Sequence, residues 1–185
     1  MKHIVLLYDN GEYADLIIAR YFLNGLEKGE SCVSFTSDEH DHIEKRLSSE
    51  GIGIDRFKKY GQLRIYLVRA PSDVEPIDLL SILKGIRADA TNGMKGPYRF
   101  AGRTIPDNES ETGMLTGTNV ERTGLRHFQE FDNSQMCFCD ISNLKKTRRN
   151  EWISALVKNH DRVICASSPD KAVAFDATLL EKEEE

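Results

Sequence analysis

The residues with the clearest potential for ligand chemistry lie in a polar stretch directly after the first apolar run of the chain. Residues 4–8 are rich in branched and aromatic side chains and predict a strand. A turn signal and the start of a helical pattern follow, and these residues are Asp9, Asn10, Gly11, Glu12 and Tyr13. Strand, tight turn and helix in this order are typical of a phosphate-binding loop. The pattern predicts the geometry of such a loop, although its chemical groups are missing.

Three further candidate residues follow other predicted strands. Asp38 and Glu39 come after the second strand, and Arg103 comes after the fourth. Ligands of parallel α/β sheets bind outside the carboxyl ends of the strands, so these residues are expected to line one cleft with the turn at 9–13. The polar stretch 104–118 has almost no apolar periodicity. It predicts a long loop, which we interpret as a lid over the cleft.

The elements that must position these residues alternate regularly along the chain. The predicted strands are 4–8, 31–36, 63–68, 98–102, 136–141 and 162–166. The predicted helices are 13–28, 38–50, 77–92, 119–131 and 147–158, with a helical turn at 54–60. The inner face of helix 119–131 is predicted to comprise Val120, Leu125, Phe128 and Phe131. This alternation predicts an α/β three-layer sandwich, in which helices flank a mainly parallel central sheet.

Composition favours one compact domain. A chain of 185 residues suits a single α/β domain, which we place at 1–178, followed by an acidic disordered tail at 179–185. The net charge of −5 argues against direct nucleic-acid binding. The chain has no apolar run long enough for a membrane span and no visible signal peptide. We therefore expect a cytoplasmic protein.

Neither a metal nor another cofactor is expected from local spacing. The four cysteines fall inside apolar, strand-like runs and are interpreted as reduced core residues; they are Cys32, Cys137, Cys139 and Cys165. His40 and His42 lie two residues apart on a predicted helix and so point to different faces, which favours a solvated helix start over a metal cluster. The basic stretch 145–149 also favours a solvated helix start over a phosphate or nucleic-acid site.

Several segments resemble a known family. Residues 22–30, 32–36, 53–55 and 61–65 are similar to the KaiC and RecA-like ATPase core. They resemble more closely the MEDS domain, the sensory domain of methanogens and methylotrophs named with the dichloromethane-responsive repressor. The resemblance extends over roughly 1–167 and is strongest over 1–68. It rests on pattern and order, because none of the motifs is a catalytic signature.

The resemblance implies a phosphate loop that has lost its function. An active ATPase would carry GxxxxGK[ST] where this chain has residues 7–13. With Gly11 as the last loop glycine, Glu12 replaces the phosphate-binding lysine and Tyr13 replaces the magnesium-binding hydroxyl residue. A charge pair ~4 Å apart is worth about 4 kcal/mol at an effective dielectric constant of 20, so Glu12 opposes triphosphate binding by a similar amount. The strand at 98–103 also lacks a carboxylate for magnesium, and ATP hydrolysis is not expected.

The function that this resemblance implies is non-catalytic. We expect a sensory or ligand-binding domain of prokaryotic, archaeal signal transduction or transcriptional regulation, which binds a small molecule or a signalling partner protein and is compatible with homo-oligomers. The expected ligand-binding residues are Asp9, Asn10, Gly11, Glu12, Tyr13, Asp38, Glu39 and Arg103. Two alternatives stay open: a divergent nucleotide-binding ATPase, and an oligomerising scaffold without a ligand.

Overall fold

The strands and helices alternate through most of the chain. The computed structural model describes residues 2–37, 40–68, 79–103, 110–131, 133–168 and 171–177, and only the backbone at 40–42. The strands are β1 (His3–Tyr8), β2 (Ser31–Thr36), β3 (Leu63–Leu67), β4 (Tyr98–Gly102), β5 (Asn133–Asp140), β6 (Arg162–Ser168) and β7 (Lys171–Asp176). The helices are α1 (Gly11–Glu27), α2 (His40–Ser49), α3 (Ile54–Lys59), α4 (Leu79–Thr91), α5 (Glu111–Arg126) and α6 (Arg149–Lys158). Within these described ranges, no helix is long and apolar enough to cross a membrane.

The seven strands form one sheet in the order β3-β2-β4-β5-β1-β6-β7. All neighbouring strands are parallel except β6 and β7, which are antiparallel. β1 lies between β5 and β6, where Leu6 pairs with Phe138 on one side and Ile164 on the other. Because helices cover both faces, β1 is apolar along nearly its whole length rather than alternating with polar residues.

The two faces of the sheet carry separate cores. Leu6 packs with Phe22 of α1 in one core, which α2 and α3 complete. Val5 packs with Trp152 of α6 in the other core, to which α5 also contributes. Alternate residues of one strand therefore enter opposite cores, as the pleat of a strand requires. The predicted α/β class, with helices on both sides of a mainly parallel sheet, is confirmed.

The predicted loop at 104–118 is wrong over its second half. α5 begins directly after Ser110, whose side-chain oxygen accepts a hydrogen bond of 3.0 Å from the backbone N–H of Gly113. Apart from one methionine, the buried face of α5 is small or polar, and its residues are Met114, Gly117, Thr118, Glu121 and Gly124. Such a face leaves no apolar periodicity to detect, which explains the error. Residues 104–109 lie outside the described residues, so a lid there stays a prediction.

The predicted inner face of the same helix is also wrong. Val120 and Leu125 are only half-buried, and Leu115 is 48% exposed. Phe128 is buried, but it lies in a separate 3-10 turn, Phe128–Glu130, after the end of α5. The apolar residues of 119–131 thus lie after the end of α5 or at the edge of its buried face.

Other differences concern boundaries. α1 begins at Gly11 rather than at 13, and β5 begins at Asn133 rather than at 136. β7 is not predicted by the sequence pattern, because its side chains at 171–174 are all exposed and carry no core signal. The predicted tail at 179–185 lies outside the described residues.

A close contact between β2 and β4 gives a prediction. A Cβ on Gly102 would lie 2.7 Å from the Cβ of Phe35 and 2.9 Å from its carbonyl oxygen. We expect Gly102→Ala to lower the free energy of unfolding by about 1–3 kcal/mol, because the strands must move apart. Urea unfolding followed by the fluorescence of Trp152, the one tryptophan of the chain, measures this.

Gly85→Ala is the matched control. Gly85 is exposed in α4, and an added Cβ there would meet no atom within 4 Å. Its replacement is expected to raise the free energy of unfolding by about 0.5–1 kcal/mol, because alanine favours a helix. Equal effects of the two substitutions would contradict the close approach of β2 and β4.

Candidate functional site

The turn between β1 and α1 contains only Asp9 and Asn10. Asn10 caps α1: its side-chain oxygen accepts a 2.9 Å hydrogen bond from the N–H of Glu12, and its carbonyl accepts one of 3.2 Å from the N–H of Tyr13. A phosphate-binding loop needs a longer segment whose free N–H groups point at the ligand. The expectation that the geometry of such a loop is present is therefore wrong. The turn is too short, and the Asn10 side chain already occupies one of the N–H groups.

The remaining side chains at this turn are accessible and acidic. Asp9 and Glu12 are exposed, as are Asn10 and Gly11. Tyr13 is half-buried and packs against the core beneath α1. The end of β1 thus presents two carboxylates beside one aromatic ring, with no lysine or arginine in the turn.

Arg103 reaches the same edge from β4. Tyr8, the last residue of β1, pairs with Asp140 at the end of β5. Burial raises the pKa of the Tyr8 hydroxyl, although the guanidinium of Arg103 lies within hydrogen-bonding reach and acts in the opposite direction. Asp140 in turn accepts hydrogen bonds of 2.9 Å from the N–H and 2.6 Å from the hydroxyl of Ser142. Tyr8, Arg103 and Asp140 therefore form a mixed polar group at the carboxyl edge.

The predicted cleft residues are only partly brought together. The turn at 9–13 and Arg103 share the carboxyl edge, whereas Asp38 and Glu39 lie outside the described residues. The sheet order puts β4 and β5 between β2 and β1. With strands about 4.8 Å apart, the ends of β1 and β2 are separated by roughly 14 Å. A single small ligand would have to be elongated to contact both ends.

A crevice lies between α1 and α2, on the face of the sheet that these two helices cover. Ile18, Ser34 and Phe138 contribute to its walls, and Asp15 is ion-paired with Arg46 there. Its cavity volume is about 20 Å³, which is room for roughly one water molecule. This crevice is too small for a metabolite.

A second group of ionisable side chains lies inside the protein. His3 opens β1, Cys137 belongs to β5, Glu121 lies on the buried face of α5, and His160 lies between α6 and β6. All four are buried, with exposed fractions of 1% for His3, 3% for Cys137, 2% for Glu121 and 4% for His160. We call these four residues the buried tetrad. It lies on the α5–α6 side of the sheet, away from the carboxyl-edge turn.

The carboxylate of Glu121 contacts all three other members of the buried tetrad. Its Oε2 atom lies 3.4 Å from Nε2 of His3, 3.4 Å from Nε2 of His160 and 3.5 Å from Sγ of Cys137. Cys137 Sγ is also 3.4 Å from Nε2 of His3. The two imidazole rings are 4.1 Å apart, and His3 stacks on Phe128 at 5.1 Å. Four different elements thus meet at one point.

The charges of the buried tetrad are strongly coupled. Burial would raise the pKa of Glu121, but the imidazoles of His160 and His3 hold it well below its usual range. Burial would lower the pKa of His160, but Glu121 and Cys137 raise it well above its usual value. The pKa of the Cys137 thiol is lowered, because the imidazoles outweigh its burial and the charge of Glu121. The arrangement therefore favours an anionic carboxylate and an easily deprotonated thiol.

A backbone contact fixes the orientation of His160. Its Nδ1 atom lies 2.7 Å from the carbonyl oxygen of Leu156, which can only accept a hydrogen bond. Nδ1 therefore carries a proton. In the neutral ring, Nε2 carries a lone pair that is directed at the other members of the tetrad. Nε2 is buried and has no hydrogen-bond partner among the residues that the structure describes. The same holds, within the described ranges, for Nδ1 of His3.

The buried tetrad was not predicted from the sequence. Cys137 is a free, buried cysteine, as predicted, but its thiol also contacts an imidazole, a carboxylate and the amide of Gln135 at 3.1 Å. His3 and Cys137 are 134 residues apart in the chain. Local spacing could not connect them, and the isolated His3 before a buried strand was the one available signal.

The comparison with protein families gives a match over most of the chain. The matching model is described as MEDS, the MEthanogen/methylotroph, DcmR Sensory domain, and it aligns with residues 2–161. The match includes the carboxyl-edge turn and all four residues of the buried tetrad. A comparison with curated proteins found no significant match. The chain therefore belongs to the MEDS family of sensory domains.

Proposed function

We propose that this protein is a non-catalytic sensory domain that binds a small molecule or a signalling partner at the carboxyl edge of its sheet. The proposal includes descent of the scaffold from RecA- and KaiC-like ATPases and a role in signal transduction or transcriptional regulation. The observation that carries it is the two-residue turn at Asp9 and Asn10, which joins β1 to α1 where an ATPase would hold phosphate. Membership of a sensory family supports the same conclusion.

Electrostatics at this turn disfavour a polyanionic ligand. Asp9 and Glu12 are both exposed beside the helix N-terminus, where their charges occupy the favourable end of the α1 dipole. A phosphate group brought to ~4 Å from either carboxylate would be repelled by about 4 kcal/mol at an effective dielectric constant of 20. A neutral or cationic small molecule would meet no such cost.

The polar group around Tyr8 gives this edge a means of recognition. Arg103 offers several donors in a fixed plane, Asp140 offers acceptors, and Tyr13 offers an apolar face. Such a combination suits a small polar molecule or a short peptide segment. The bound state would then be transmitted by association with a partner protein or with a second copy of the chain.

A thermal-shift screen against small metabolites and nucleotides tests the site. We expect at least one uncharged or cationic compound to raise the melting temperature of the wild-type protein. Arg103→Ala should lower the affinity for that compound by about tenfold or more, since one charge-assisted hydrogen bond is worth about 1.5–3 kcal/mol. Arg122→Ala, which removes the same charge from an exposed position on α5, should leave the shift unchanged.

Two outcomes of this screen would overturn the proposed site. A compound whose effect survives Arg103→Ala binds elsewhere on the protein. A flat response across a broad panel would favour the oligomerising scaffold without a ligand.

The divergent ATPase is the competing function. It predicts release of phosphate from ATP and magnesium above the level of a boiled sample. It also predicts that replacing Asp38 and Glu39 together by their amides abolishes this release, since carboxylates in these positions would activate water. The sensory function predicts no release by either protein.

A further inference from the structure

Four of the six separations between the candidate ligand atoms of the buried tetrad match the edges of a coordination tetrahedron. Zinc binds imidazole nitrogen and carboxylate oxygen at ~2.0–2.1 Å and thiolate sulfur at ~2.3 Å, which separates the ligand atoms by about 3.3–3.6 Å. The four contacts measured here are 3.4, 3.4, 3.4 and 3.5 Å. All candidate ligand atoms lie within 4.8 Å of one another, so the widest pair would close by about 1 Å on binding.

The same separations are too long for the ionic hydrogen bonds that would otherwise explain the cluster. Charge-assisted N–H to O contacts are typically about 2.7–2.9 Å. His160 Nε2 forms an ion pair with Glu121 Oε2 at 3.4 Å, but it makes no hydrogen bond to any residue that the structure describes. A buried polar atom without a partner costs about 1–3 kcal/mol. His160 therefore turns towards the tetrad a buried nitrogen that the described residues do not satisfy, whereas Cys137 Sγ is in contact with His3 and Glu121.

The orientation of His160 is that of a metal ligand. Ligating histidines commonly donate their second N–H to a carbonyl or carboxylate, which fixes the tautomer and aims the other nitrogen at the ion. His160 has this arrangement through the Leu156 carbonyl at 2.7 Å. Nε2 is thus aimed at the other three side chains and lacks a hydrogen-bond partner in the described part of the chain.

We propose that His3, Glu121, Cys137 and His160 bind one divalent transition-metal ion of the zinc type. Two imidazoles, one thiolate and one carboxylate suit zinc and other late first-row ions, whereas Mg²⁺ and Ca²⁺ require oxygen ligands. The charges balance, because one thiolate and one carboxylate neutralise the two positive charges of the ion. On binding, Cys137 releases its thiol proton to solvent, and any proton on the two ligating nitrogens follows.

The site has the character of a structural site. Four protein ligands leave no open position for a water or substrate, which distinguishes structural from catalytic zinc sites. The ligands come from β1, α5, β5 and the α6–β6 connection, so one ion would link the central strands to α5 and to the end of α6. This site is separate from the carboxyl-edge ligand site and does not depend on it.

Cobalt titration of the full chain tests the proposal. The purified protein is treated with a chelator, shown to be folded by circular dichroism, and titrated with Co²⁺ as a spectroscopic probe. We expect saturation at one ion per chain, intense visible bands of a tetrahedral complex and a near-ultraviolet thiolate-to-cobalt charge-transfer band. One equivalent of Zn²⁺ should remove these bands.

Matched variants separate this site from other thiols. Cys137→Ser should lose the charge-transfer band, while Cys165→Ser, at the half-buried cysteine of β6, should keep it. His160→Gln and Glu121→Gln should weaken Co²⁺ binding by more than about tenfold, whereas Arg103→Ala should not change it. If Cys137→Ser does not fold, the band decides the question when Cys165→Ser keeps it and His160→Gln loses it, since the thiolate ligand must then lie beside His160. A folded wild-type protein without saturable binding or without that band overturns the proposal, as does loss of the band in Cys165→Ser.

Discussion

Glu121→Ala is expected to lower the free energy of unfolding by about 3–5 kcal/mol. The carboxylate is 2% exposed and lies 3.4 Å from both His3 and His160, so its removal leaves two imidazoles buried without their counter-charge. The imidazoles can shed protons to relieve this, which places the expected loss toward the lower end of the range. Urea unfolding followed by the fluorescence of Trp152 measures the change.

Glu111→Ala is the control on the same helix. Glu111 lies in the first turn of α5, is 53% exposed and is ion-paired with Arg148. Exposed ion pairs contribute about 0–1 kcal/mol, so this variant should stay close to the wild-type stability. A loss below about 1 kcal/mol for Glu121→Ala as well would show that α5 does not place this carboxylate between the imidazoles.

Phe22→Ala is expected to cost about 3–5 kcal/mol of unfolding free energy. Phe22 is fully buried in the middle of α1 and packs in the core with Leu6 of β1. Its loss leaves a cavity beneath the helix whose first turn belongs to the proposed carboxyl-edge site. The same urea measurement applies, and circular dichroism at zero denaturant checks that the variant is folded.

Tyr60→Ala controls for the removal of an aromatic ring as such. Tyr60 is 68% exposed at the end of α3, so its replacement should change the stability by less than about 0.5 kcal/mol. Comparable losses for Phe22→Ala and Tyr60→Ala would contradict the position of α1 on the sheet.

The elements that local patterns predicted well are those with an apolar or alternating signal. β2 and β4 were predicted with the bounds that the structure has, because each is a short run with aromatic side chains between turn signals. α5 was missed over 111–118 because its buried face depends on glycine, threonine and glutamate. β7 was missed because it is held by pairing with β6 rather than by burial.

The candidate sites divide in the same way. The residues at 9–13 and Arg103 could be assigned to one sheet edge from strand order along the chain alone. The length of the β1–α1 turn could not be predicted, because a sequence pattern does not reveal that Asn10 already caps the helix. The buried tetrad could not be found either, since its four members meet only through the order of the strands and the packing of α5.

Isothermal titration of the wild-type chain with ATP and magnesium tests the central claim most directly. The claim is that the capped turn at Asp9 and Asn10 does not hold a triphosphate. We predict no saturable heat, while an active ATPase of the RecA class binds under the same conditions. Saturable binding at one ATP per chain, abolished when Asn10 and Gly11 are both replaced by proline to remove their N–H groups, would contradict the account.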